Sequence, residues 1–409
     1  MKLFREYRGL RRENYILFIS RMMTALGQMI YPMLTLILSQ KLQMNAGAIA
    51  LVMVIYSILC IPAGLLGGKL ADTFSKKKIL IFCNGIAGIC FLICACMPLS
   101  IFSMCIYAFG VIVSQIQNPA YSALIADVTD SKDRERAYSM SYLGMNLGMV
   151  LSPTIAGFLF NDYLWLMFLF NAAALLTSTA MIYFFLQDAK HITASELSYE
   201  TGETNVSAFT VLKQNKIILV FFLIMAIDSA VYNQYGYLIP LDLGTVHGSD
   251  SAMIYGALSS LNCLVVVVFT PWITRVFSHT VETKKFLISD ILMVGSYAMF
   301  RLCLGIVPAY YLVMMVYTWG EIFRTIASDP YLTRRIPQSH RGRLMSFNNV
   351  GMVAAYALSE LVVGQCYDRL GSIAAWIFVI AFGSISIVLE LWLIKADRRV
   401  YREIYQKHS

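Results

Sequence analysis

The chain is poor in charged residues, which make up 14% of its 409 positions, whereas 58% of the positions are hydrophobic. Soluble globular proteins contain about 25% charged residues. The shortage of charge therefore excludes a soluble domain and predicts a protein embedded in a membrane. The positive mean hydropathy, +0.65, points the same way.

Several functional motifs are also missing. No GxxxxGK[ST] phosphate loop occurs, so direct drive by ATP is unsupported. The nine cysteines lie in or at the ends of apolar runs, with neither CxxC spacing nor a histidine partner, and we interpret them as small core residues. No nucleophile–base pair or metal-ligand cluster is visible in the sequence. We therefore predict that the protein is not an enzyme and has no cofactor and no metal.

The apolar residues form twelve runs, each long enough to cross about 30 Å of hydrocarbon as a helix that rises about 1.5 Å per residue. The first six predicted spans cover residues 15–38, 47–70, 79–97, 101–125, 137–160 and 164–186. The second six cover residues 217–243, 252–276, 286–304, 309–327, 344–366 and 373–394. The sequence thus predicts an all-α membrane protein of twelve transmembrane helices.

The second half of the chain repeats features of the first at a constant offset of 207 residues. The offset relates two loops, in the pairs Thr73 and Thr280, Lys77 and Lys284, Arg134 and Arg341, and Gly157 and Gly364. One offset shared by two separate loops predicts a duplicated, pseudo-symmetric bundle. We predict an N-terminal six-helix half at 1–186, a cytoplasmic linker at 187–216, and a C-terminal six-helix half with a short cytoplasmic tail at 217–409.

Basic residues predict the orientation in the membrane. Of the 32 Lys and Arg, only Lys41 and Arg369 fall in odd-numbered loops. Arg21, Lys69, Arg301 and Arg324 fall within or at the ends of spans, and Arg275 lies at the last turn of span eight. The others lie at the termini and in even-numbered loops, which predicts that both termini are cytoplasmic. The net charge of +8 is then a topology signal, so we predict contact with anionic lipid and no nucleic-acid partner.

The loop between spans two and three has the sequence GKLADTFSKKKI from Gly68 to Ile79. It resembles the signature loop of the major facilitator superfamily in Gly68, Asp72, Lys76 and Lys77, although Thr73 and Ser75 depart from the usual pattern. The resemblance implies two six-helix halves and transport by alternating access. We expect Gly68 to allow close helix approach, and Asp72 to face the N-terminal end of span eleven and so favour closure of the cytoplasmic side.

Two further segments resemble drug exporters. Span five is similar to the antiporter motif of drug/proton exporters at Gly148, Pro153 and Gly157, although Ser152 stands where that motif has glycine. Span ten, VYTWGEI, is similar to a segment of twelve-span multidrug/proton antiporters of Gram-positive bacteria, which carry an acidic residue at the place of Glu321. Span four lacks the arginine of many drug antiporters.

The resemblance to the major facilitator superfamily implies that spans one, four, seven and ten line a substrate cavity. Polar residues at helical spacing collect in these four spans. The predicted cavity residues are Thr24, Gln28, Tyr31, Ser114, Gln117, Asn118, Tyr232, Tyr235, Tyr317 and Trp319. The tyrosines Tyr232, Tyr235 and Tyr237, with Trp319 across from them, suit flat amphipathic or cationic compounds, and they equally suit ordinary helix packing.

A charged residue inside a membrane span is costly, so such residues usually face a water-filled cavity or pair with another residue. Glu321 is the predicted proton carrier, with Asp228 and Glu360 as further candidates; the alternative for Glu321 is a structural ion pair with Arg324. Arg21 and Asp228, related by the repeat, are predicted to pair across the cavity as a gate, a substrate contact or a purely structural pair. Asp290 and Glu390 are expected near the cytoplasmic interface, where a headgroup contact suffices.

These features predict a proton-coupled secondary exporter of small amphipathic or drug-like molecules in the bacterial cytoplasmic membrane. The predicted partners are a small-molecule substrate, protons and membrane lipid, and we expect a monomer. One alternative is a transporter of a sugar, peptide, amino acid or lipid-related metabolite with the same fold. Another is a transport-inactive membrane sensor, although the expected cytoplasmic appendage is not seen.

Overall fold

The computed structural model describes residues 9–130, 133–186, 215–335 and 341–406. Within these ranges the chain is helical and contains no strand. The predicted linker at 187–216 falls almost wholly outside the described residues.

Among the described residues, the first half of the chain forms seven α-helices. They are α1 (Arg12–Gly27), α2 (Ile30–Leu36), α3 (Ala46–Thr73), α4 (Lys76–Cys96), α5 (Ile101–Val128), α6 (Arg134–Leu159) and α7 (Leu164–Phe185). The first predicted span is broken between α1 and α2. Pro32 lies in the first turn of α2, where backbone N–H groups have no hydrogen-bond partner within the helix, so the proline costs no helical hydrogen bond. A short π-helical segment, Ile37–Lys41, continues α2.

The described part of the second half forms eight α-helices. They are α8 (Lys216–Tyr232), α9 (Gln234–His247), α10 (Ser251–Val276), α11 (Glu282–Leu302), α12 (Val307–Arg335), α13 (Arg341–Leu370), α14 (Ser372–Val400) and α15 (Arg402–Gln406). The seventh predicted span is divided at Asn233, between α8 and α9.

Among the described residues, nine helical segments are long and apolar enough to cross a membrane. One of them, Lys216–Val276, is 61 residues long and contains α8, α9 and α10. Helices α11 and α12 are not among the nine, because charged residues such as Asp290 and Arg324 interrupt them. The protein is therefore a multi-pass membrane protein, and the count of twelve spans stays a prediction.

Contacts divide the chain into two compact units, which differ from the predicted halves in two places. The first unit comprises residues 1–44, 55–197 and 247–264, and its core includes Leu17, Leu80 and Leu124. The second comprises residues 45–54, 198–246 and 265–409, and its core includes Phe221, Phe286 and Tyr331. The start of α3 thus belongs with the second unit, and the start of α10 with the first.

The N-terminus of α3 is capped twice within the second unit. Asn45 accepts a hydrogen bond from the backbone N–H of Ala48 at 2.8 Å, as an ordinary N-cap residue does. The carboxylate of Asp368, in the last turn of α13, accepts from the N–H groups of Ala46 at 3.0 Å and Gly47 at 2.7 Å. A carboxylate at this position also interacts favourably with the helix dipole.

Candidate functional site

A cluster of charged side chains lies in the interior of the second unit. The guanidinium of Arg324, on α12, contacts the carboxylates of Asp228 on α8 and Asp290 on α11. Glu390, on α14, completes the cluster, and carboxylate oxygens of the three acids lie within 4.8 Å of one another. Asp228 and Asp290 are each 3% exposed and Glu390 is 0% exposed.

The acidic cluster holds more potential negative charge than positive charge. If all three acids were ionised, one guanidinium would leave two negative charges uncompensated in a buried site, which is unfavourable. Ser386 donates a hydrogen bond to Asp228 at 2.6 Å. Both oxygens of Glu390 and Oδ2 of Asp290 have no hydrogen-bond partner among the described residues. The arrangement can therefore accept a proton or a small cation at the unpartnered oxygens.

A second contact joins α8 and α12 one helical turn from the acidic cluster. Tyr232 follows Asp228 by four residues on α8, and Glu321 precedes Arg324 by three residues on α12, so each pair shares a helix face. The Tyr232 hydroxyl donates to the half-buried Glu321 carboxylate at 3.0 Å. Glu321 thus has a tyrosine partner, while Arg324 pairs with Asp228 and Asp290; whether Glu321 also pairs with Arg324 stays a prediction.

The predicted pair of Arg21 and Asp228 stays a prediction, because its two members lie in different units. The guanidinium that contacts Asp228 is that of Arg324, which lies in the same unit. Arg21 lies in the first unit, where its guanidinium is 5.1 Å from the centre of the Tyr121 ring.

Six of the predicted cavity residues line one cavity of the first unit. Thr24, Gln28, Tyr31, Ser114, Gln117 and Asn118 lie around a volume of about 210 Å³, together with Arg21. The helical spacing of these residues in the sequence is therefore matched by a common location. Their role in binding substrate stays a prediction.

The predicted aromatic residues of the second unit do not form one group. Tyr317 packs against Tyr232 and Tyr235, with ring centroids 6.0 and 5.4 Å apart. Trp319 instead packs against Phe269 at 5.8 Å, within an apolar cluster. Tyr237 is 1% exposed, and its hydroxyl donates to the Ala46 carbonyl at 2.5 Å. The expectation that Trp319 faces all three tyrosines is wrong, because residues two apart on α12 point in different directions.

Glu360 lies on α13 and is 1% exposed. It is not part of the acidic cluster, and its Oε2 has no hydrogen-bond partner among the described residues. A role in proton coupling stays a prediction for Glu360.

The glycines of the span-five motif mark close helix contacts. A Cβ atom at Gly148 would overlap the Met22 carbonyl and would lie 2.7 Å from the Ala25 side chain, so α6 and α1 approach closely there. A Cβ atom at Gly157 would lie 2.6 Å from the Ala252 carbonyl of α10. Thr154, which follows Pro153 in α6, donates a hydrogen bond from its hydroxyl to the Ser260 hydroxyl of α10 at 2.7 Å. Ser152, on the other side of the proline, is buried.

The loop motif behaves differently from its prediction. A Cβ atom at Gly68 would meet no described atom within 4 Å, whereas one at the neighbouring Gly67 would overlap the Ile116 carbonyl. Close approach therefore requires Gly67, and the assignment to Gly68 is wrong by one residue. Lys76 pairs with Asp127 at 2.8 Å, and Lys77 donates to the Leu186 carbonyl at 2.6 Å. The Asp72 side chain falls outside the side chains described, so its predicted position facing the N-terminal end of span eleven stays a prediction.

Sequence reasoning missed Asp290 and Glu390 as members of the site. The sequence predicts both near the cytoplasmic interface with a headgroup contact, yet both are buried in the cluster around Arg324. The available signal was the acidic residue inside an apolar run, which indicates a partner in the bundle interior. The identity of that partner depends on how α8, α11, α12 and α14 pack.

Buried charged residues between the helices of a multi-pass membrane protein are typical of transporters. The family model of the Major Facilitator Superfamily matches residues 17–325. The chain belongs to this superfamily, and it is a transport protein, not an enzyme. The predicted family is confirmed.

Two curated relatives are similar over most of their length. The "Na(+), Li(+), K(+)/H(+) antiporter" of Planococcus maritimus is 21% identical over 406 residues, which cover 92% of this chain and 94% of that protein. The "Uncharacterized MFS-type transporter YqjV" of Bacillus subtilis (strain 168) is 22% identical over 347 residues, with 83% and 82% covered.

Solved structures share the fold at low identity. A POT family transporter in complex with a thioalcohol-conjugated peptide is 15% identical, with a TM-score of 0.76 and coverage of 95% of this chain and 96% of that chain. A variant of the nucleoside transporter NupG is also 15% identical, with a TM-score of 0.73 and coverage of 93% and 100%. These likenesses confirm the all-α major facilitator fold.

Proposed function

We propose that the protein is a proton-coupled secondary exporter of small amphipathic or drug-like molecules that works by alternating access. The observation that carries the proposal is the acidic cluster of Asp228, Asp290 and Glu390 around Arg324. Two potential negative charges in this site have no positive partner, so binding a proton or another cation would lower the electrostatic energy of the site. In the proposed orientation both termini face the cytoplasm, and the protein works as a monomer in the bacterial cytoplasmic membrane.

Proton uptake has a direct structural consequence in this cluster. A proton on Asp228 removes one negative charge from the contact with Arg324 and so weakens the attraction that joins α8 to α12. A protonated state and a deprotonated state would then favour different arrangements of these helices, as alternating access requires. The cluster supplies the element whose equilibrium the proton biases.

Glu321 is the proposed route by which protons reach the acidic cluster. It is half-buried, whereas the three clustered acids are buried. Its position three residues before Arg324 places it about 4.5 Å away along the helix axis. A carboxylate that meets both water and the cluster can exchange protons between them, with Tyr232 as its hydrogen-bond partner.

A second candidate function is exchange of an alkali cation for protons. The donor set favours it, because Asp228, Asp290, Glu390 and Ser386 offer only oxygen atoms, which hard cations prefer. The similar protein of Planococcus maritimus carries the name of a sodium, lithium and potassium/proton antiporter. Arg324 opposes this candidate, since a guanidinium among the ligands repels a metal cation.

Inside-out vesicles with an acidic interior distinguish these functions. A pH-sensitive dye reports proton efflux when NaCl, LiCl, KCl, or a panel of organic acids, cations and zwitterions is added. We expect a response to organic compounds that is lost in Asp228→Asn and Glu390→Gln and kept in Asp250→Asn, a change at an exposed carboxylate. A response to the salts alone favours the second candidate. Substrate flux without proton movement contradicts both and favours a metabolite transporter; no flux at all favours a sensor.

A further inference from the structure

The cavity of the first unit differs in charge from the acidic cluster of the second. The described residues of its lining include the guanidinium of Arg21 and no Asp or Glu. Arg21 is half-buried, and none of the ion pairs among the described residues includes it. Its contacts are the Tyr121 ring and the sulfur of Met145 at 3.7 Å, neither of which neutralises its charge.

Amide groups in the same cavity also lack protein partners. Gln117 is 6% exposed and Asn171 is 5% exposed, and both line the cavity. The described residues provide no hydrogen bond to either side chain, although Asn118, also in the lining, donates to Gln115 at 2.7 Å. Buried side-chain amides are nearly always hydrogen-bonded in folded proteins. Two buried amides beside an unpaired guanidinium therefore provide donors for a ligand.

The remaining lining suits a ring. Phe91 and Tyr107 pack with centroids 5.2 Å apart and both line the cavity. The volume of about 210 Å³ is below the roughly 300–1,000 Å³ of sites for drug-sized ligands. The space fits a head group with one ring or the charged end of a larger molecule.

We propose that this cavity binds the carboxylate head group of an aromatic organic acid, with Arg21 as the charge partner and Gln117 and Asn171 as hydrogen-bond donors. A guanidinium matches a carboxylate by charge and by its planar pair of donors. One positive charge balances a single negative charge, which favours a monoanion. The same charge disfavours an organic cation, so the site separates acids from amines of equal size.

This inference names the substrate class of the proposed exporter and so rests on that function, but its test uses equilibrium binding without any gradient. Purified protein is titrated with benzoate, benzamide and benzylamine, and with the corresponding naphthalene compounds, while the thermal unfolding midpoint is recorded. A ligand that binds the folded state raises the midpoint with concentration, which gives its affinity. We expect the acids to bind more tightly than the amides, and the amines least tightly.

Variants assign the preference to its residues. Arg21→Gln should weaken binding of the acids about 10- to 100-fold, the range for a lost hydrogen bond to a charged group, and should leave the amides unchanged. Arg21→Lys should lose less, and Gln117→Leu should weaken acids and amides alike. Arg275→Gln, at an exposed arginine of α10, is the matched control and should change nothing.

Three results would overturn the inference. They are amines that bind as tightly as acids, acids that bind Arg21→Gln with wild-type affinity, and no binding of any of these compounds to the wild type. The first and third results are obtained with the wild-type protein, so the inference can still be tested if Arg21→Gln does not fold. An acid preference without proton movement in vesicles contradicts only the coupling, whereas proton coupling without an acid preference contradicts only this inference.

Discussion

Tyr232 donates a hydrogen bond to Glu321 at 3.0 Å, one helical turn from the ion pair of Asp228 with Arg324. Both contacts join α8 to α12, and one involves a half-buried carboxylate while the other involves a buried one. Substitutions can therefore separate the contribution of the half-buried contact to the proposed proton coupling from the contribution of the buried contact.

Glu321→Gln is expected to keep substrate binding, to lose the pH dependence of that binding, and to fail in concentrating substrate against a gradient. Glutamine resembles the protonated acid but does not titrate. Transport into inside-out vesicles, measured from pH 6 to about 8 around neutrality, checks this. The matched control is Glu403→Gln, at an exposed glutamate of α15. If Glu321→Gln retains gradient-driven transport with wild-type pH dependence, the coupled proton is carried by Asp228, Glu360 or the rest of the acidic cluster.

Arg324→Gln is expected to destabilise the protein by about 3–5 kcal/mol, because it leaves buried carboxylates without their positive partner. Asp228→Asn should also destabilise, and the double variant should be less destabilised than the sum of the two single variants. Thermal or denaturant unfolding in detergent measures the cycle, with Arg275→Gln as the control. Additive effects would show that Asp228 and Arg324 do not interact.

Gly148→Ala is expected to destabilise the packing of α6 on α1 by about 1–3 kcal/mol, the usual cost of overpacking. The added Cβ would overlap the Met22 carbonyl, and a backbone atom cannot move aside as a flexible side chain can. Gly351→Ala, in the helix α13, has no described atom within 4 Å of its new Cβ and should be neutral or stabilising. Equal stability of the two variants, measured by unfolding, would contradict the close approach at Gly148.

The C-terminal helix α15 is expected to depend on Asp397. Asp397 and Arg335 form a buried pair, with the Arg335 Nε and one terminal nitrogen each 2.7 Å from a carboxylate oxygen, and both side chains are 0% exposed. The Tyr405 hydroxyl of α15 donates to the same carboxylate at 2.9 Å. Burial raises the pKa of Tyr405 above its usual value, so the hydroxyl remains a donor at physiological pH.

Asp397→Asn should therefore cost about 3–5 kcal/mol, whereas Tyr405→Phe should cost about 1 kcal/mol, the value of an ordinary hydrogen bond. Both variants should expose α15 to limited proteolysis, and Glu403→Gln should not. Protection of α15 in Asp397→Asn equal to that in the wild type would show that the apolar contacts of the helix suffice to hold it.

The sequence predicted the helical membrane fold well because that fold depends on local properties. Apolar runs located the first-unit helices α4, α5 and α7 closely, since any helix in hydrocarbon must be apolar over its length. The break at Asn233 was not predicted, because the apolar run continues through it from α8 into α9.

The candidate site was predicted only where one helix face holds the relevant residues. Thr24 and Gln28 share a face of the first span, and they line the same cavity as Ser114 and Gln117. The partners of Arg324 come from helices that are distant in the sequence. Helix α8 begins at Lys216, 91 residues before α12 begins at Val307, and α11 begins at Glu282, 25 residues before it. Spacing along the chain carries no record of which charge meets which, so Asp290 and Glu390 could be recognised as unusual but not placed.

The double cap of α3 has a consequence for how easily that helix end can be released. Asn45 directly precedes α3 in the sequence, whereas Asp368 belongs to a different helix, α13. The Gly47 contact is exposed, so water can replace the Asp368 carboxylate at the N–H groups that it leaves. The contact between Asp368 and α3 can therefore break and re-form at small free-energy cost, and the end of the helix keeps Asn45 as its cap when it does.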